Sequence, residues 1–262
     1  LLDLDRTDVA NIVEHLDSFV FGEDVEIKNL TETRQRIELH GPDVFKTFAA
    51  AFPDNPPRHW TLDVGGRTPC GVPGIAVDVD VRDAEDIWEK LNLTIASGAR
   101  PPRAIGWHAY NIARIEYGSP MFHIDFGPDA LPQETGLLDE RVSFTKGCYP
   151  GQEVVARMHS RGKSKRKLVG FRLHGSDLPI AGSQVFDCDE KDATGIGQQV
   201  GVVTSSTYAP MLGASPVAFI SARTPRTVPG TILRVVADGK VVDGTTVGFH
   251  FMDPESSEEA SS

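Results

Sequence analysis

A single thiol sits in the stretch Lys146-Gly147-Cys148-Tyr149-Pro150-Gly151-Gln152-Glu153, where its neighbours could make it a nucleophile or a metal ligand. Pro150 suits the first position of a helix, where a missing N–H costs nothing. Gln152 and Glu153 would fall in the first turn, and Val154 to Met158 can continue the helix. Cys148 would then stand at the positive end of the helix dipole beside the Lys146 ammonium, and both favour a thiolate. The plain alternative is a small apolar filler in a glycine-rich turn.

A second constellation is Arg114-Ile115-Glu116-Tyr117-Gly118, followed by Asp125. A carboxylate beside a bend can accept two parallel N–H bonds from a flat heterocycle, such as the amino-pyrimidine edge of a pterin. Charge-assisted bidentate contacts of that kind orient a ligand strongly. The competing reading is an Arg–Glu pair on a solvated face. A third is the basic cluster Arg157, Arg161, Lys163, Lys165, Arg166 and Lys167, with His159 among them. Six positive charges within eleven residues could receive a polyanion, or could form a solvated linker.

Other sites fail on spacing. The eight histidines are scattered, and no His-Glu-x-x-His, Walker loop or Gly-x-Gly-x-x-Gly is present. Gly195-x-Gly197 is a lone turn signal. Asp78, Asp80, Asp83 and Asp86 lack the glycine and terminal glutamate of a calcium loop, so solvated charge is expected there. His123 and Asp125 could pair, but no nucleophile partner is in view. Cys70, Cys148 and Cys188 are widely spaced and odd in number, which indicates neither a disulfide framework nor a zinc site. A reducing compartment is the expectation.

These groups need elements to hold them. Residues 7–20 carry Val9, Ile12, Val13, Leu16 and Phe19 at helical spacing after Thr7, a candidate cap. Val25–Ile27 and Arg36–His40 alternate like strands, and a helix follows Gly41-Pro42-Asp43 with Val44, Phe45 and Phe48. Residues 53–74 are rich in Pro and Gly and read as loop with short strands. Ile75–Val81 alternates as a strand, Asp83–Leu91 as a helix after an Asp cap, and Ile105–Ile115 as a helix ending near Gly118. Beyond residue 163 come short strands at 168–173, 199–204, 217–220 and 232–236, the pattern of a small sandwich or barrel. The tail 254–262 is polar and acidic, and is expected to be disordered.

The 262 residues are 40% hydrophobic and 24% charged, an ordinary globular composition with room for a large core. The net charge of −11 argues against broad nucleic-acid coating but leaves a local basic site open. No apolar run reaches the roughly 20 residues that a membrane helix needs. The opening Leu1-Leu2-Asp3-Leu4-Asp5-Arg6 lacks the layout of a signal peptide and has no initiator Met, so a longer parent chain is expected.

Taken together, Lys146 to Glu153 resembles the Lys-Gly-Cys-Tyr-x-Gly-Gln-Glu signature of the YgfZ-type folate-binding proteins, relatives of the glycine-cleavage T-protein. Arg114-Ile115-Glu116-x-Gly118 resembles their folate-contacting segment, and Leu131-Pro132-Gln133-Glu134 their short bridging motif. Gly201-Val202-Val203-Thr204-Ser205-Ser206-x-Tyr208-x-Pro210-x-Leu212-Gly213 resembles the C-terminal barrel segment shared with the T-protein. The resemblance implies an α+β, multi-lobed T-protein-like folate-binding fold with a C-terminal small β-barrel. It divides the chain into a folate-binding region at 1–162, an N-terminal section of which lies outside this sequence, a barrel at 163–253 and the tail. It implies a protein that binds tetrahydrofolate or a one-carbon derivative and assists iron–sulfur cluster assembly or repair. Its partners would be assembly proteins or client enzymes, in the cytoplasm or, in a eukaryote, the mitochondrial matrix. Carried residue by residue, Glu116 is the pterin anchor, with Arg114 its neighbour and Tyr149 also on the folate, and Cys148 is the functional thiol beside Lys146. Tyr110, or alternatively Trp107, would supply an aromatic face. Two rivals follow. One is a folate-dependent aminomethyltransferase, whose catalytic aspartate is not visible here. The other is an RNA or protein adaptor using residues 157–167.

Overall fold

The computed structural model describes residues 2–54, 70–161, 164–188 and 196–251. Most of the Pro/Gly-rich stretch 53–74, Lys163, Gly195, the acidic tail and the Arg161 side chain lie outside what is described. The chain divides into two compact units, Leu1–Thr68 with Val72–Ala104 and Pro69–Gly71 with Ile105–Ser262. The expected boundary between 162 and 163 lies just ahead of β3, which begins at Arg166, whereas the units divide at Ala104 and Ile105.

The first unit holds helix α1 (Val9–Asp17), strand β1 (Arg34–His40), helix α2 (Val44–Ala51), strand β2 (Gly74–Asp80) and helix α3 (Ala84–Leu93). β1 and β2 pair antiparallel, from Arg34 opposite Asp80 to His40 opposite Gly74. Ile37, Ile75, Val77 and Val79 pack with Val44, Phe48 and Ala51 of α2 and Leu91 of α3. The alternation read in β2 does not mark a wet face, because burial is continuous from Gly74 to Val79. Asp78 lies 3.6 Å from Arg36. The Asp80 carboxylate accepts two bonds of 2.8 Å from the Arg82 guanidinium, which holds it well below the usual carboxylate range. The acidic string is therefore paired to arginines at two positions.

Two expectations in this unit are corrected. The cap of α1 is Asp8, while the Thr7 hydroxyl donates to Asp5 at 2.6 Å. Val25–Ile27 forms no strand among the described residues. Three residues supply too short a ladder, and Val25 is exposed.

The second unit begins with helix α4 (Trp107–Tyr117) and a 3-10 turn at Pro132–Glu134. Helices α5 (Leu138–Arg141) and α6 (Gln152–Arg161) follow. Strands β3 (Arg166–Leu173), β4 (Gln184–Asp187), β5 (Gln199–Ala209), β6 (Ser215–Arg223), β7 (Ile232–Ala237) and β8 (Lys240–Val247) then close a barrel in the order β3-β6-β5-β4-β7-β8. Closure leaves no unpaired edge, which settles the choice between sandwich and barrel. Val169, Phe171, Val185, Val203, Ile220 and Leu233 fill its interior. On the outer wall, Leu168, Val217 and Phe219 pack with Ile115 of α4 and with Phe251. β4 and β8 escape the sequence reading: β4 has four residues, and β8 is polar and carries Gly244.

β5 contains the irregularity that matters most for the site. Its register with β6 steps from Val203 opposite Ile220 to Ser205 opposite Phe219, so Thr204 is an extra residue. Side chains normally alternate across a strand, and a bulge resets that alternation. Val203 therefore faces the barrel interior, while Ala209 belongs to the outer cluster with α4.

Candidate functional site

α4 ends on Gly118, which adopts φ 89° and closes the helix with its N–H toward the Arg114 and Ile115 carbonyls. A Cβ at this position would stand 2.0 Å from the Phe249 carbonyl oxygen, so the backbone of the last barrel segment is pressed against the glycine. Glycine alone supplies both the left-handed turn and the room.

One turn back, Arg114 has no exposed surface and pairs with an equally enclosed Asp125 at 2.7 Å. Its Nε donates to Asn111 Oδ1 at 2.8 Å, its Nη1 also to the Ser119 carbonyl at 3.2 Å, and its Nη2 to Ser205 Oγ at 2.8 Å. Asp125 accepts in addition from Met121 N at 2.8 Å, Thr204 Oγ1 at 2.7 Å and Ser205 Oγ at 2.6 Å. The bulge allows the consecutive Thr204 and Ser205 side chains to reach one carboxylate. Arg114, read from the sequence as a neighbour of the ligand, thus offers it no surface. It fastens α4 to β5, and Asp125 serves this network rather than a pair with His123.

Glu116 is 8% exposed, and its Oε1 accepts the Met211 N–H at 2.8 Å from the turn that follows β5. A carboxylate offers about four acceptor positions, so capacity remains on both oxygens. Tyr110 is half-buried and its ring lies 5.7 Å from that of Trp107, which is exposed. Six residues of helix turn through about 600°, so Tyr110 and Glu116 project roughly 120° apart and do not share one face.

The thiol loop departs from expectation at its start. Pro150 is not the first helical residue: Gly151 takes φ 82°, a left-handed turn that a continuing helix excludes, and α6 begins at Gln152. Cys148 is exposed and lies ahead of this turn. The field of a helix terminus falls off within a turn, so the dipole argument is weaker than the spacing implied. The Lys146 ammonium sits 4.6 Å from the centre of the Tyr149 ring, a cation–π contact, rather than serving the thiol alone. What the structure supplies at Cys148 is access.

The loop is nonetheless tied down at both ends. Gln152 donates its N–H to the Tyr149 carbonyl and accepts the Tyr149 N–H on Oε1, each at 3.2 Å. Phe144 stacks on His159 of α6 at 4.1 Å between ring centres. Gln133 of the bridging motif donates from Nε2 to the Val155 carbonyl of α6 at 2.9 Å, while its Oε1 is buried with no partner among the described residues. Glu134 closes the same 3-10 turn by accepting Leu131 N–H on Oε2 at 3.2 Å. The sequence reading named the motif but not this clamp. It also missed Thr204, Ser205 and Asp125 as the support of Arg114, since nothing in their spacing brings them together. Elsewhere, Cys188 is a half-buried free thiol pushed up by that burial.

Residues 166–253 match the family model described as the glycine cleavage T-protein C-terminal barrel domain. The crystal structure of the glycine cleavage system aminomethyltransferase T from Bartonella henselae superimposes with a TM-score of 0.76 at 22% identity. It covers 94% of this chain and 66% of that one. A mitochondrial iron–sulfur cluster assembly factor, the IBA57 homologue of Aspergillus oryzae, is 24% identical over 197 residues, 71% of this chain and 43% of that protein. The tRNA-modifying protein YgfZ of Yersinia pestis is 36% identical over 107 residues, 40% and 30% of the two chains. The chain spans about half the length, or less, of the curated relatives it matches. Residues 166–253 thus carry the T-protein C-terminal barrel domain, and the chain shares the fold of that aminomethyltransferase T structure.

Proposed function

We propose that this chain binds tetrahydrofolate or a one-carbon derivative of it, and lends the Cys148 thiol to iron–sulfur cluster assembly or repair. The observation that carries the reading is a pair of groups within one compact unit. A buried carboxylate at the end of α4 keeps acceptor capacity, and an exposed single thiol stands in the Lys146–Glu153 loop. The amino-pyrimidine edge of a pterin fits Glu116, because its two parallel N–H donors match the acceptor sites left free beside the Met211 contact. Bound folate would supply a carrier for one-carbon groups. The protein's own part is to orient the pterin through Glu116, which is held in place by the Arg114–Asp125 anchor two residues earlier. Tyr110 or Trp107 would offer the ring a face. Cys148 provides one thiolate, whereas cubane clusters use four, so a partner must bring the remaining ligands for a cluster handled as cargo. The names of the Aspergillus and Yersinia relatives support the assembly reading, relatives named aminomethyltransferase support aminomethyl transfer, and the exposed thiol of the Lys146–Glu153 signature favours the first.

Calorimetry with tetrahydrofolate tests the anchor. Glu116→Gln loses a charged hydrogen bond, about 1.5–3 kcal/mol or roughly 10- to 150-fold in affinity. Wild-type protein that fails to bind, or unchanged affinity in the variant, sinks the folate reading. Cys148→Ala is expected to bind folate normally and to lose support for cluster reconstitution in a client enzyme.

A further inference from the structure

The barrel register sets Arg166 of β3 directly opposite Arg223 of β6. Opposed residues of an antiparallel pair share a face, with Cβ atoms ~5 Å apart. That face is the outer wall: Leu168, two residues along β3, and Phe219, four along β6, both pack outward with Ile115. Arg166 and Arg223 therefore project from the barrel beyond the strip that α4 covers. Both are exposed; Lys165 and Lys167, in the adjoining positions, are exposed too, and alternation sends Lys167, opposite Ala222, to the other side of the strand end. The Thr224 N–H, bonded to the Lys165 carbonyl at 3.1 Å, holds the two strand ends together.

Like charges placed directly opposite weaken a sheet. A chain with net charge −11 has carboxylates to spare for neutralising them. Yet none of these four cations enters an ion pair among the described residues, whereas nearby Arg226 pairs with Asp187. Ser164, Ser221 and Thr224, which neighbour these cations along the two chain segments, are polar. Protein–protein interfaces centre on an apolar core depleted of charge, which this patch lacks. Nucleic-acid interfaces are polar and strongly positive, and paired guanidinium forks suit phosphate oxygens. We propose that Lys165, Arg166, Lys167 and Arg223 form a docking edge for the phosphate backbone of a nucleic-acid strand. The strand register adds Arg223 to the basic run of the sequence. The edge stands independently of the folate reading.

Fluorescence anisotropy of the full chain with a labelled single-stranded RNA, the matching DNA and a labelled polyglutamate peptide tests this across a salt series. Three or four phosphate contacts predict a log–log salt slope of roughly −2 to −3, at about −0.7 per contact for single strands. Arg166→Glu/Arg223→Glu is expected to weaken binding at least ~10-fold and flatten the slope, with melting unchanged because both side chains are exposed. The RNA and DNA arms identify which sugar is preferred. Lys240→Glu, which alters one charge at the β7–β8 turn, is expected to bind almost as the wild type does. Absence of RNA and DNA binding at low salt overturns the proposal. So does unchanged affinity in the double variant, or an equal loss in Lys240→Glu. Polyglutamate binding tighter than either nucleic acid would assign the edge to an acidic peptide instead.

Discussion

Asp125→Ala is the most demanding test of how the site is held. The wild-type carboxylate accepts from Arg114 at 2.7 Å, Met121 N at 2.8 Å, Thr204 at 2.7 Å and Ser205 at 2.6 Å, with both ion-pair side chains fully enclosed. Truncation leaves the Arg114 guanidinium buried without a counter-charge, which costs about 3–5 kcal/mol in comparable pairs. For a unit of this size that lowers the melting temperature by roughly 6–20 °C. Scanning calorimetry of the full chain reads it, since it can follow separate transitions for the two units. Arg114→Met/Asp125→Ala removes both charges and is expected to recover part of the loss. The Met121 N–H and the Thr204 and Ser205 hydroxyls would still lack their acceptor, so recovery stays incomplete. A loss below about 1 kcal/mol, or a double variant less stable than Asp125→Ala alone, refutes the view that Arg114 is a buried structural anchor.

Gly118→Ala must place a Cβ against the Phe249 carbonyl at φ 89°, while Gly151→Ala meets only open space at φ 82°. Chemical denaturation should find Gly151→Ala costing about 1–2 kcal/mol, the left-handed penalty alone, and Gly118→Ala clearly more. Gln133→Leu removes the clamp on the Val155 carbonyl; faster alkylation of Cys148 at unchanged barrel stability is expected, and an unaltered rate would show that the clamp does not govern the loop. Glu38 is held down at about 2, first by the His40 hydrogen bond and then by Arg36, against opposing burial. A depressed carboxylate stabilises the fold above its unfolded value of about 4.5, and the contribution fades as pH falls from there toward about 2. The side chain is 36% exposed, so screening leaves about 1 kcal/mol. Glu38→Gln should flatten the acid limb of a stability–pH curve over that window, and an unchanged limb would remove Glu38 from it.

Much of this fold was legible because local chemistry and tertiary packing agree. α4 carries its own stop at Gly118, and Gly41-Pro42-Asp43 separates β1 from α2. The strands at 168–173 and 217–220 are apolar enough to announce themselves. β8 was invisible because Lys240, Asp243, Gly244 and two threonines hide the one face it buries. The start of α6 was misplaced because Pro150 favours a first helical turn, while the decisive residue is Gly151. A proline signal is local, whereas the left-handed turn depends on the bond pair between Tyr149 and Gln152.

The site itself was half legible, for a reason that lies in helix geometry. Arg114 and Glu116 look adjacent in sequence, yet two residues of helix turn through about 200°, so they serve different neighbours. Arg114 reaches Asp125, and through it the bulge at Thr204 and Ser205; Glu116 reaches the turn at Met211. The bulge and that turn both belong to the barrel segment from β5 onward, some ninety residues away in the chain. No spacing rule within α4 could reveal this. The same segment therefore sets both the depth of α4 on the barrel and the direction of the Glu116 carboxylate. A change at Ser205 should reach Glu116 without touching it: Ser205→Ala removes a donor to Asp125 and an acceptor for Arg114. Tetrahydrofolate affinity should fall a few-fold in parallel with the lost stability. An affinity that stays fixed while stability falls would separate the anchor from the site.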